Sequence, residues 1–76
     1  MKTVRISINN IDKVKSFVNA ISRFENDFDL VSEKYVVNAK SIMSIFTLDI
    51  REPIFLNFSP EDNSDKILTA LSPYLE

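Results

Sequence analysis

An α+β two-layer open-faced sandwich, with a four-stranded antiparallel sheet and helices on one face, is the fold class this 76-residue sequence predicts. Three observations predict it. The hydrophobic period switches between two residues and about 3.6 along the chain, so strands and helices alternate in the order β-α-β-β-α-β-α. Every connection is short, which favours neighbouring elements packed in two layers around one core. No repeat, linker or low-complexity segment interrupts the pattern, so residues 1–76 read as a single domain.

The elements follow in order. "TVRISI" alternates, with Val4, Ile6 and Ile8 on one face and Thr3, Arg5 and Ser7 on the other, as a half-buried strand does. Asn9 and Asn10 form a turn and supply a helix cap. From Ile11 the period lengthens. Ile11, Val14, Phe17, Val18, Ile21 and Phe24 make one helical stripe, with Lys13, Lys15, Ser16, Asn19 and Arg23 on the wet side. "ENDFDL" turns and enters a second strand, with Phe28 and Leu30 facing the same way. Ser32-Glu33-Lys34 is a tight connection to a short third strand, "YVVN". A short helix spans about Lys40 to Leu48, and "PIFLNF" is a fourth strand with Ile54, Leu56 and Phe58 on one face. Pro53 lacks a ladder N–H and belongs at that strand's first residue or on an edge. "SPEDNSD" is an acidic, cap-rich start to a last helix striped by Ile67, Leu68, Leu71 and Leu75. Pro73 ends or kinks it.

Composition excludes several function classes. There is no histidine, which removes imidazole general bases, Ser-His-Asp triads, phosphohistidine and His-ligated metals together. There is no glycine, so a G-x-x-x-x-G-K phosphate cradle is impossible, and any turn needing a positive φ falls to Asn or Asp. Cysteine is absent, so nothing implies an oxidising compartment, a thiolate metal site or a thiol nucleophile. A net charge of −2 offers no footprint for nucleic acid. No apolar run reaches the roughly 18 residues of a membrane span, and "MKTVRISI" is too short for a secretory signal, so a cytoplasmic location is expected. Glu61, Asp62 and Asp65 lack calcium-loop spacing and read as a solvated first helical turn favoured by the dipole. No metal, cofactor or enzymatic chemistry is expected.

"KYVVNAKSIMSIFTLDI", residues 34 to 50, resembles a run in the HPr family, the histidine-containing phosphocarriers of the bacterial sugar phosphotransferase system. That family carries a K-V-N-L-K-S-I-M-G-V-M-S-L-G-V-like run at the matching place. Val37, Asn38, Lys40, Ser41, Ile42, Met43 and Leu48 match as they stand, and Ala39, Ile45, Phe46, Thr47 and Ile50 are soft replacements. "SRFENDFDL" resembles the family's S-K-F-D-S-D-I-Q-L at the end of the first helix. Element order and length agree, so the resemblance covers essentially the whole chain and implies an HPr-like fold.

The departures are chemical. The family's phosphorylated His follows strand one in a G-I-H-A-R-P segment. An ungapped count back from Phe24 puts its place at Asn10, that of the Arg at Asp12 and that of the Pro at Lys13. Asn forms no phosphoramidate, and Asp12 reverses the charge that steadies a phosphate. The glycine after S-I-M is Ser44. Phosphocarrier activity is therefore not expected.

What remains is the short helix. In Gram-positive members the serine matching Ser41 is phosphorylated by a dedicated ATP-dependent kinase. A phosphoserine at a helix start gains from the dipole and the free N–H groups, while the plain alternative is that Ser41 or Asn38 simply caps the helix. Ile45 and Leu48, three residues apart, suit the core, whereas Met43 and Phe46 project together on another face that Ile42 borders. In the family, the residues at Ile42, Met43 and Phe46 form the apolar patch that partners grip. The plain alternative is that Met43 and Phe46 tuck under a loop as satellite core. The expectation is thus a monomeric, regulatory protein-binding module of bacterial HPr type. Its partners would be of the phosphotransferase or carbon-regulation kind. The alternative is a structural or self-associating domain that buries the same helix.

Overall fold

A computed structural model describes residues 2–59 and 61–76. The chain forms β1 (Lys2–Ile6), α1 (Ile11–Ile21), β2 (Phe28–Val31), β3 (Val36–Asn38), α2 (Ile42–Ile45), β4 (Ile54–Phe58) and α3 (Ser64–Leu71), then a 3₁₀ turn over Ser72–Tyr74. The expected element order and the four-stranded antiparallel sheet are both present. Pro60, which falls inside the expected start of the last helix, lies outside the described residues.

The strands lie in the order β1-β4-β2-β3, and all three pairings are antiparallel. β4 is therefore central, and Pro53 stands just ahead of its first ladder residue, where the missing N–H costs no sheet hydrogen bond. Alternation holds in each long strand. Ile6, Phe28, Leu30, Ile54, Leu56 and Phe58 turn inward and are buried, and the rings of Phe28 and Phe58 meet at 5.6 Å between centroids. Val14, Phe17, Val18 and Ile21 of α1 and Ile67 and Leu71 of α3 close the core from the other side. Each such fully buried side chain contributes about 1.5–3 kcal/mol of transfer free energy.

Four expectations need correction. Ile11 belongs to the helical period but is 57% exposed, because it occupies the first helical position, beyond the rim of the core. The short helix is a single turn, Ile42–Ile45, rather than Lys40 to Leu48; Thr47 and Leu48 continue as turns whose N–H groups reach back to Ser44 and Ile45. The last helix stops at Leu71, so Leu75 is exposed and pairs with Ile6 in an isolated bridge, while Tyr74 takes the core place and meets Phe17 edge-on at 5.7 Å. Ile8 is buried although β1 ends at Ile6.

No described residue has a positive φ. A glycine-free chain has built its turns from right-handed and extended conformations, so the substitution by Asn or Asp in left-handed turns is not needed among the described residues. Short polar side chains hold the turns instead. Ser32 Oγ accepts from the backbone N–H of Tyr35 at 3.1 Å, and Asn38 Oδ1 accepts from Lys40 N–H at 2.9 Å.

Candidate functional site

α2 is positioned by two sequence features. Asn38 closes a turn at the end of β3, and Ser41 then sits extended at φ −100°, ψ 107° as the N-cap. Its Oγ accepts from Ser44 N–H at 3.4 Å, a long capping bond. Asn38 and Ser41 thus share the work, one in the turn and the other at the cap.

One turn of helix divides its residues sharply. Ile45 is completely buried, Ile42 is partly buried against the core, Met43 is 84% exposed and Phe46 is 46% exposed. The expected split holds: Ile45 and Leu48 go inward, Met43 and Phe46 outward, and Ile42 borders both. Met43 is not satellite core. Its flexible, polarisable side chain stands in water beside an exposed ring. With only four helical residues, α2 carries a small macrodipole, so the dipole adds less to an anion at Ser41 than a full-length helix does.

The start of α1 forms the neighbouring wall. Asn10, extended at φ −149°, ψ 164°, is the N-cap, and its Oδ1 accepts from Lys13 N–H at 2.8 Å. Asp12 lies exposed in the first turn. An open depression runs between Asn9–Lys13 and the segment Leu48–Arg51, with Ile11, Leu48 and Ile50 as its apolar lining. Its charges cancel in kind, Asp12 and Asp49 against Lys13 and Arg51. Arg51 is engaged by Asp49, donating from Nε at 3.0 Å, from Nη2 at 3.2 Å and from its backbone N–H at 3.1 Å. These hydrogen bonds hold the Asp49 carboxyl below its ordinary range and the Arg51 guanidinium above its own. Both side chains are exposed, so this is a surface ion pair of small energy.

The roles of two side chains, one beside this region and one tied to the start of α3, escaped the sequence reading. Lys40 Nζ donates to the Phe24 carbonyl at 2.6 Å, just past the end of α1, and lies 5.5 Å from the centre of the Phe28 ring. Asn26, nearly fully buried, donates to the Ser59 carbonyl and exchanges hydrogen bonds with Asn63. Neither contact has a local signal in the sequence, since Lys40 reaches back 16 positions and Asn26 pairs 37 positions ahead.

No group of three or more metal-ligating side chains occurs among the described residues, and Glu61, Asp62 and Asp65 are exposed. No helix among them is long and apolar enough to cross a membrane.

Comparison with solved structures places the fold. The phosphocarrier protein HPr of Bacillus anthracis superposes with a TM-score of 0.76 and is 30% identical, over 99% of this chain and 94% of that one. An HPr of Thermoanaerobacter tengcongensis gives 0.77 and 29%, over 96% and 89%. A mycoplasma histidine-containing phosphocarrier gives 0.73 at 16% identity, over 95% and 86%, a likeness of fold alone. No family model matches the sequence, and no curated protein does.

Proposed function

The chain belongs to the HPr family, and from that premise we propose that it is a protein-docking module of the phosphotransferase type that carries no phosphate on histidine. The absence of any histidine supports the second half directly. By the ungapped count from Phe24, Asn10, which caps α1, falls at the family's histidine place, and Asp12 in the first turn falls at that of its arginine.

The observation that carries the docking half is the exposure of Met43 and Phe46 beside a fully buried Ile45. Solvent-facing Met and Phe on an anchored turn present adaptable apolar area without disturbing the core. Ile42, Met43 and Phe46 form the grip, and Ser41 at its edge is the phosphorylation site that gates it. A phosphate there adds about two negative charges next to the patch and opposes apolar docking. The partners are proteins of the phosphotransferase or carbon-regulation kind, and the setting is the bacterial cytoplasm.

The test compares partners captured from native lysate by the wild-type protein and by Met43→Asp. Loss of one or more partners with the variant supports the docking turn, and identical partner sets overturn it. In parallel, incubation with a phosphoenolpyruvate-charged general phosphotransfer enzyme is expected to leave no acid-labile phosphate on the chain. Stoichiometric acid-labile label would overturn the non-carrier reading.

A further inference from the structure

The sheet face away from the helices has its own pattern. The pairing register aligns two outward rows across all four strands. One row runs Arg5, Phe55, Val31 and Val36; the other runs Thr3, Asn57, Asp29 and Asn38. The first is apolar over three strands, with Val36 66% and Phe55 41% exposed. The second is polar, and within it Thr3 Oγ1 donates to Asn57 Oδ1 at 2.6 Å, which turns the Asn57 amide donors to other partners. No described helix packs on this side, since the buried residues of α1 and α3 belong to the single core cluster on the other face.

We infer that this open face is the interface of a weak face-to-face homodimer. The reason is that the pattern is complementary to itself. A twofold axis parallel to the strands, passing between β4 and β2, keeps each row over its own row and exchanges the columns. Phe55 then lies over Val31 of the second copy, and Val31 over its Phe55. In the other row the Asn57 amide meets the Asp29 carboxylate, a donor opposite an acceptor, twice by symmetry. Arg5 crosses Val36, where its alkyl stem covers the exposed methyls while its head stays with Glu76 at the rim. Sheets stack in this way with their strands about 30° apart. A net charge of −2 per chain opposes the pairing little.

The area sets the strength. At about 4.8 Å between strands and about 3.4 Å per residue, four strands of three to five residues present a flat footprint of about 300 Å². A stable interface removes about 800 Å² of accessible surface per partner. The dimer therefore dissociates in the high-micromolar to millimolar range and is monomeric when dilute. It leaves α2 of both copies facing outward, so the association stands apart from the docking reading above.

Sedimentation equilibrium from about 20 µM to about 2 mM tests it, with the amide spectrum recorded over the same range. Wild-type mass is expected to climb toward two chains, with shifts confined to the rows of Phe55 and Asn57. Val36→Lys, on an exposed edge strand, is expected to weaken association at least about tenfold, as is Phe55→Lys, because each sets an ammonium against the apolar row. Met43→Asp is expected to change nothing. Mass remaining at one chain at the highest concentration overturns the inference. So does an association that Met43→Asp abolishes and Val36→Lys spares, which would move the interface to the helix.

Discussion

Asn26 and Asn63 face each other across the molecule's end and exchange amide hydrogen bonds, Asn63 Nδ2 to Asn26 Oδ1 at 2.7 Å and Asn26 Nδ2 to Asn63 Oδ1 at 3.2 Å. Asn26 also donates to the Ser59 carbonyl at 3.0 Å. The pair ties the approach to β2 to the start of α3, whose N-cap is Asn63. It also explains why Asn63 makes no side-chain cap bond: its amide is used across the fold rather than along its own helix.

Asn26→Ala is expected to destabilise the domain by about 1–3 kcal/mol, because it removes a buried amide with three hydrogen bonds and leaves the half-buried Asn63 amide without its partner. For a domain of this size each kcal/mol lowers the melting temperature by about 4–8 °C. Asn63→Ala is expected to cost a similar amount, and the double variant less than the sum of the two. Strict additivity in thermal or urea unfolding would show that the amides do not act as a pair.

Exposure decides what substitutions in α2 do. Met43→Asp and Phe46→Ala are expected to leave stability within about 0.5 kcal/mol of wild type, as surface changes usually do. Ile45→Ala, two residues from Met43, is expected to cost about 2–5 kcal/mol, since Ile45 is wholly buried. Urea unfolding separates the two classes. A large loss with Met43→Asp would mean that Met43 supports the core after all.

How much of this was legible in the sequence follows from which interactions are local. Alternation in β1, β2 and β4 and the stripe of Val14, Phe17, Val18 and Ile21 depend on neighbours in the chain, and they appear where the period places them. The caps at Asn10 and Ser41 are local too. Ile11 was misplaced because a period assigns a face but not the distance from the core's edge. Leu75 was misplaced because Pro73 shifts the chain to a 3₁₀ turn, which rotates Tyr74 inward in its stead. The Asn26–Asn63 pair spans 37 positions, and the charge balance near Asn10 needs Asp49 and Arg51 brought back from beyond α2. No window of sequence contains either.

The Asp49–Arg51 pair gives a pH dependence of known sign. The hydrogen bonds from Arg51 lower the Asp49 carboxyl below its ordinary value. A depressed carboxylate adds stability above its unfolded-state value and loses it as the pH falls through the folded one. Both groups are exposed, so the effect on unfolding is small and is best read at the carboxyl itself. A carbon-detected titration is expected to place Asp49 below an ordinary aspartate, and Arg51→Ala is expected to return it there. An Asp49 titration unchanged by Arg51→Ala would show that the fork does not persist in solution.

Ser41 separates capping from regulation. Its Oγ lies 3.4 Å from Ser44 N–H, so Ser41→Ala is expected to cost no more than about 0.5–1 kcal/mol, at the low end for a lost N-cap. Ser41→Asp keeps an acceptor at the same place and is expected to cost less. Partner capture reads the other role. If phosphorylation gates the docking turn, Ser41→Asp weakens capture while Ser41→Ala does not, an order opposite to that of the stabilities. Wild-type protein from its native source is then expected to carry acid-stable phosphate at Ser41 by mass spectrometry. Equal capture by both variants, with no phosphate at Ser41 under any growth condition, would leave the serine as a cap alone.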